Sequence, residues 1–261
     1  MSDAAFPTLP DGAALDVLAV AAHPDDAEIG CGGTLLRLVA AGYTVGVVDC
    51  TRGESGSRGS PEIRAAEAAA AAARLGLAHR ENLGLPDGFV AAGDDDALRR
   101  LVTALRRLRP RWLFAPYPVD AHPDHEAVAG LCRRAFFHSG LARVFPEAGA
   151  AKRPEVLLRY AGNDLATPAL CVDISAFAAA KRDLIACYAS QIGRTPAERA
   201  HYLRGLDPIS RAEARDRFYG AACGVAAAEP LWTDGPVSLD LLAPLVAPGA
   251  GAAPLDSEGR S

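Results

Sequence analysis

The chain has 261 residues and a mass of 27.1 kDa, room for one large α/β domain. Half of the residues are hydrophobic and 23% are charged, which excludes a wholly disordered chain, since burial of apolar surface is what offsets the entropy of ordering. The formal charge is −5, from 27 basic and 32 acidic side chains. That balance disfavours non-specific nucleic-acid binding and still allows a small anionic substrate held by one or two arginines.

Residues 1–14 read as a flexible lead-in, with acidic residues and prolines where an export signal has a basic region and an apolar core. Residues 15–22, LDVLAVAA, predict a buried parallel strand. The polar cluster HPDDAE follows, and then a helix over about 27–41 with Gly42 near its C-cap. Residues 43–50 predict a second buried strand, and TRGESGSRG a polar, glycine-rich loop. Ser60 and Pro61 open a helix as N-cap and first helical residue, running through an alanine-rich segment to Gly76. A helix is expected over 95–108, a short strand over 111–115, and a helix from the end of PYPVDAHPDH to about 138. Strands are expected at 155–160 and 169–174, and helices at 176–189, 196–203 and 211–226. Thr195 with Glu198, and Ser210 with Glu213, fit capping boxes. Residues 230–261 carry many Pro, Gly and Ala and read as an irregular tail. The expected organisation is one domain over 15–228 followed by a tail over 229–261.

This alternation predicts an α/β fold with a mostly parallel sheet and helices on both faces. No run of 18 apolar residues predicts a membrane span. The six cysteines are far apart, form no CxxC pair and read as reduced small residues, which places the expected location in the cytoplasm.

Two clusters carry the chemistry, and both fall at strand ends, where open α/β sheets build their sites. In the first, His23 and Asp26 are three apart, so a turn can aim an imidazole and a carboxylate at one point. Both suit zinc, and Asp25 remains as a carboxylate able to take a proton from water. The second, HPDH, supplies His122, Asp124 and His125. One histidine would complete a three-ligand His2Asp set with an open fourth position, and the other would act as an acid or polarise a carbonyl. Asp124 could orient a histidine by accepting its second ring N–H. A single histidine or an Asp-Asp pair is usually a cap or surface group; the repetition of His-Pro-Asp at two strand ends favours a metal hydrolase. The glycines of GCGG fail the G-x-G-x-x-G spacing and disfavour a dinucleotide-dependent oxidoreductase, and no P-loop or G-x-S-x-G elbow is present. Arg52, Arg58, Arg64, Arg153 and Arg159 are candidate anion contacts.

The stretches AAHPDDAEIGCGGTL, TRGESGSRGSPEIRAAEAAAAAARLG, NLGLPDG, PYPVDAHPDHEAV and YASQ together resemble the LmbE/PIG-L-like deacetylases, over about residues 15–225. Within that family the likeness reads as nearest to the bacillithiol-biosynthesis deacetylase, which acts on N-acetylglucosaminyl malate. The resemblance implies a Rossmann-like three-layer sandwich, one Zn2+ per subunit, and hydrolytic deacetylation of an amino-sugar conjugate with an anionic aglycone. It implies His23, Asp26 and His125 as zinc ligands and Asp25 as general base. It implies His122, protonated and backed by Asp124, as oxyanion stabiliser, and Arg64 and Arg153 as substrate contacts. It also implies a homo-oligomer, often a hexamer. The alternatives are a broader amino-sugar, chitooligosaccharide or mycothiol-type deacetylase, and, from another class, a non-catalytic metal- or sugar-binding protein.

Overall fold

In the computed structural model, which describes residues 6–193 and 207–246, seven strands among the described residues form one sheet. The strands are β1 (Val17–Ala21), β2 (Val45–Asp49), β3 (His79–Asn82), β4 (Trp112–Pro116), β5 (Val156–Tyr160), β6 (Leu170–Asp173) and β7 (Ala228–Thr233). Their order is β3-β2-β1-β4-β5-β7-β6. The first five run parallel, and β7 is antiparallel to both neighbours. β1, β2, β4 and β5 are buried along their whole length, as a parallel sheet covered on both faces requires. Alternate residues feed two cores. Val17, Ala19 and Ala21 join a cluster with Leu35 and Leu38 of helix α1 (Asp26–Ala40). Leu18, Val20 and Ala22 join one with Leu101 and Leu105 of α3 (Asp95–Leu108) and Val128 and Leu131 of α4 (Pro123–His138). Helix α2 (Pro61–Leu75) covers the same face as α1 through Ala72 and Leu75. The expected three-layer α/β architecture is therefore present.

The strand order reverses between β1 and β4, the switch point at which such sheets open a crevice. Ala19 of β1 stands opposite Phe114 of β4, so the loops that leave these strands emerge side by side. That pairing brings HPDD and HPDH together across about a hundred residues of sequence.

One strand answers to no expectation, and three local expectations are corrected. β3 is a strand although its sequence, HREN, carries no apolar periodicity; Arg80 within it is buried in a bidentate contact with Asp49 (2.8 and 2.9 Å) and pairs with Glu28 at 2.6 Å. The helix expected over 176–189 is shorter, α5 (Ala178–Ile185), flanked by 3-10 turns. The helix expected over 211–226 is α6 (Pro208–Cys223), and its N-cap is Asp207, which accepts from Ser210 N at 3.0 Å, in place of a Ser210–Glu213 box. The irregular tail expected from residue 230 instead begins with β7, inserted between β5 and β6, and continues to α7 (Leu239–Val246). The expected helix at 196–203 and the Thr195–Glu198 box lie outside the described residues. No helix among the described residues is long and apolar enough to cross a membrane.

β7 is held by charge as well as by the sheet. Glu229, fully buried, accepts from Gly33 N at 2.8 Å and Thr34 N at 2.7 Å and pairs with Lys181 Nζ of α5 at 2.7 Å. The GCGG glycines serve close packing here: a Cβ at Gly30 would lie 2.3 Å from the Tyr160 ring, and one at Gly33 2.8 Å from Ile174. Glu229→Ala strips two buried N–H groups and one partner of a buried ammonium. It should lower stability by about 3–5 kcal/mol, read as a drop in the urea midpoint with little change in slope.

Candidate metal centre

The segment between β1 and α1 is short and bent. Asp25, the N-cap of α1, has φ 119°, a left-handed value that non-glycine residues adopt at a cost, and such strain clusters where function over-determines the backbone. The bend lets Asp26 fold back, so that its Oδ2 accepts from His23 N at 2.8 Å and stands 3.1 Å from His23 Nδ1. The other oxygen, Oδ1, lies 3.2 Å from His125 Nε2 at the start of α4. His23, Asp26 and His125 each offer a ligand atom within 4.8 Å of the others. His23, His122 and Asp124 form a second such group. The three imidazoles are packed together, with ring centroids 4.7, 4.9 and 5.5 Å apart.

The far nitrogens of the two outer histidines meet carboxylates. His23 Nε2 is 3.0 Å from Asp87 Oδ1 and 3.3 Å from Asp124 Oδ2. His125 Nδ1 is 3.1 Å from Asp120 Oδ1. Burial works against a charged His23 and His125, but Asp26 and the outer carboxylates outweigh it, raising His23 well above its ordinary value and His125 to about 10. Burial likewise works against ionised Asp26, yet the two histidines pull it well below the usual carboxylate range. Asp87 and Asp120 fall to about 2, their burial overcome chiefly by hydrogen bonds to His23 and His125. A pocket that holds Asp26, Asp87, Asp120 and Asp124 ionised around two imidazoles calls for positive charge. Two imidazoles and a carboxylate, mostly buried, are the donor set that suits zinc or another borderline divalent cation.

Asp25 points elsewhere. Burial pushes its carboxyl up, to about 7, even though the Arg64 guanidinium pulls it down. Arg64 Nη2 donates to Pro24 O at 2.6 Å and to Asp25 Oδ1 at 3.3 Å. The glycine of TRGE makes that possible: Gly53 has φ +68°, and a Cβ there would fall 1.8 Å from Arg64 Nη1.

His122 differs from its expected state. Its Nδ1 accepts from Asp124 N at 3.2 Å, which leaves the proton on Nε2. Burial first, then the neighbouring His23 and His125 charges, lower its pKa, so it is a neutral N–H donor and not an imidazolium. The Asp124 side chain does not back it either; it faces His23 and accepts from Gly88 N at 2.7 Å and Val90 N at 3.2 Å.

The two arginines expected at the substrate part company. Arg64 is 5% exposed and turned inward on Asp25. Arg153 lies away from the site: it donates to Phe137 O at 3.0 Å and stacks over the Phe137 ring, at the C-terminal end of α4, about 20 Å along the helix from His125. The arginines beside the site are Arg211 and Arg215 of α6, which with Asp25, Asp26, His125 and Phe218 line a cavity of about 380 Å³. Arg211 donates to Asn163 O at 3.2 Å, and Arg215 donates to Gly162 O at 3.2 Å. Sequence reading passed over Asp87, Asp120, Arg211 and Arg215. Two of them had a local signal: Asp87 is the aspartate of NLGLPDG, and Asp120 stands two residues before His122, the same spacing that separates His122 from Asp124.

Comparison with known proteins agrees with this geometry and corrects one expectation. The family model for GlcNAc-PI de-N-acetylase (PIG-L) matches residues 18–136, a span that includes both clusters. A deacetylase of Catenulispora acidiphila, 1D-myo-inositol 2-acetamido-2-deoxy-alpha-D-glucopyranoside deacetylase 2, is 32% identical over 180 residues, 56% of this chain and 59% of that one. The enzyme of the same name from Thermobispora bispora is 33% identical over 153 residues, 46% of this chain and 51% of that one. The chain thus spans little more than half the length of these curated relatives. They overturn the expected nearest likeness to the bacillithiol deacetylase, since the matching relatives carry an inositol aglycone in their names and not malate. The conserved protein TT1542 from Thermus thermophilus superposes with a TM-score of 0.77 at 42% identity, over 86% of this chain and 96% of that one. N,N'-diacetylchitobiose deacetylase from Pyrococcus horikoshii shares the fold, with a TM-score of 0.72 at 24% identity over 87% of this chain and 83% of that one. On the family match and the near-complete likeness to the Thermus protein, the chain belongs to the PIG-L family.

Proposed function

We propose that the protein is a zinc-dependent hydrolase that removes the acetyl group from an N-acetylglucosaminyl conjugate, with a GlcNAc-inositol of the mycothiol type as the best-supported substrate. The observation that carries this reading is that His23, Asp26 and His125 meet, and that a separate carboxylate, Asp25, raised to about 7, lines one cavity with Asp26 and His125. The names of the curated relatives support the inositol aglycone.

His23, Asp26 and His125 would hold the cation. Zinc bound there would supply Lewis acidity to the amide carbonyl and acidity to a bound water. The chain's own groups do the rest. Asp25, as carboxylate, takes a proton from the attacking water, and a pKa near the working pH suits that task. Arg64 keeps the carboxylate aimed by its contact with Oδ1. His122 presents Nε2–H, the donor a developing oxyanion needs, and its neutral state follows from the Asp124 N–H on Nδ1. The C–N bond of the acetamide breaks, acetate keeps the water oxygen, and the proton held by Asp25 goes to the departing amine. Arg211 and Phe218 in the cavity wall offer a cationic group and a flat apolar face to the aglycone.

Purified zinc-loaded protein should release acetate and a free amine from 1D-myo-inositol 2-acetamido-2-deoxy-alpha-D-glucopyranoside, measured with an amine-reactive fluorophore beside N,N'-diacetylchitobiose and free N-acetylglucosamine. Preference for either of the latter overturns the inositol assignment, and absence of turnover on all three overturns the deacetylase reading.

Asp25→Asn should retain zinc and lose about 10²–10⁴-fold in kcat. A non-catalytic binder would retain zinc but show no turnover to lose.

The pH dependence follows from the same group. Asp25 acts deprotonated, so kcat/KM should rise with pH through its titration and fall about tenfold per unit below it. In the metal-free protein the carboxyl titrates at about 7. Zinc beside it favours the anion and moves that midpoint down, which carbonyl 13C shifts recorded with and without zinc would show.

A further inference from the structure

The least conspicuous carboxylate of the cluster is also the most completely bound. Asp120 belongs to the loop between β4 and α4, and its side chain is 1% exposed. Its Oδ1 accepts from His122 N at 2.8 Å and from Asn163 Nδ2 at 2.8 Å, and its Oδ2 from Asn163 N at 2.6 Å. Three donors from two loops thus fix the carboxylate in the plane it occupies. The remaining approach to Oδ1 is taken by His125 Nδ1 at 3.1 Å. Asn163 Nδ2, which has two hydrogens, also lies 3.4 Å from that nitrogen, a longer contact than its 2.8 Å bond to Asp120 and than the 3.1 Å between Asp120 and the ring. A carboxylate only accepts, so the ring nitrogen facing it carries the proton.

The chain makes room for this contact at one position. A Cβ on Gly162 would fall 2.0 Å from Asp120 Oδ2 and 3.2 Å from His125 Nδ1. Gly162 and Asn163 follow β5, so the strand on the far side of β4 supplies both the space and two of the three donors.

We propose that Asp120 is a positioning residue: clamped by Asn163 and admitted by Gly162, it holds His125 as the Nδ1–H tautomer and so dedicates Nε2 to the cation. The inference rests on the His23–Asp26–His125 reading of the metal centre. It explains why Nε2 of His125, and not Nδ1, faces Asp26. Carboxylates of this kind orient a ligating imidazole and raise its basicity, and their loss commonly weakens metal binding about 10–100-fold.

The test reads metal binding, not turnover. In zinc-loaded wild type, two-bond 1H–15N spectra should show His125 with a protonated Nδ1 and a zinc-shifted Nε2; zinc on Nδ1 overturns the proposal. Asp120→Ala and Gly162→Ala should each weaken zinc about 10–100-fold in chelator competition and shift the visible bands of the cobalt-substituted protein. Gly162→Ala keeps every polar group and presses hardest on the carboxylate, at 2.0 Å from Oδ2 against 3.2 Å from His125 Nδ1, so it carries the test if Asp120→Ala fails to fold. Zinc affinity within about twofold of wild type in Gly162→Ala, with unchanged cobalt bands, overturns the clamp. A wild type that holds zinc through Nε2 yet releases no acetate supports the clamp and overturns the deacetylase reading.

Discussion

Asp26 reaches His23 Nδ1 with one oxygen and His125 Nε2 with the other, at 3.1 and 3.2 Å, and so joins two loops about a hundred residues apart in the chain. Neither loop could place its histidine without the strand pair beneath it. β1 and β4 are buried neighbours, and their register puts both loops at one end of the sheet. Negative charge is gathered at that end far beyond what buried groups tolerate alone, since three further aspartates stand behind the two imidazoles. Their shared demand for positive charge ties ligand placement to loop placement. Gly88 and Val90 donate to Asp124 and Asn163 donates to Asp120, so the loops after β3 and β5 are drawn in as well.

The separation of roles within this crowd follows from small differences in surroundings. Asp25 and Asp26 are sequence neighbours, yet one is raised to about 7 and the other held well below the usual range. Both are buried. Asp26 faces two histidines, whereas Asp25 has the Arg64 guanidinium, at 3.3 Å, and the like charges of Asp26 and Glu28. The left-handed backbone at Asp25 turns the two carboxylates apart. Opposed environments for adjacent acids are how a protein assigns a proton carrier and a fixed ligand from the same residue type.

Much of this was legible in the chain itself. Apolar runs marked β1, β2 and β4 within two residues at either end, and the acidic cap of Asp94 with its periodic follow-on marked α3 at its observed limits. The His-Pro-Asp repeats located the centre because proline and strand ends leave a local trace. β3 left none: its buried Arg80 is neutralised by Asp49 and Glu28, partners distant in sequence, so a polar tetrapeptide sits in the interior. β7 was hidden for the same reason, its Glu229 satisfied by α1 and α5. The ring tautomers, the inward turn of Arg64 and the remoteness of Arg153 depend on which groups meet in space. Residue spacing does not record that.

Among the described residues, the sheet's edge strand β6 touches the rest of the sheet only through β7, which is made nearly sixty residues later. While the ribosome is still adding α6, the nascent chain therefore carries an unpaired strand and a Lys181 without its Glu229. β7 acts as a keystone: the antiparallel segment enters between two strands made before it, and until it does β6 is a bare margin of the kind that invites unwanted pairing.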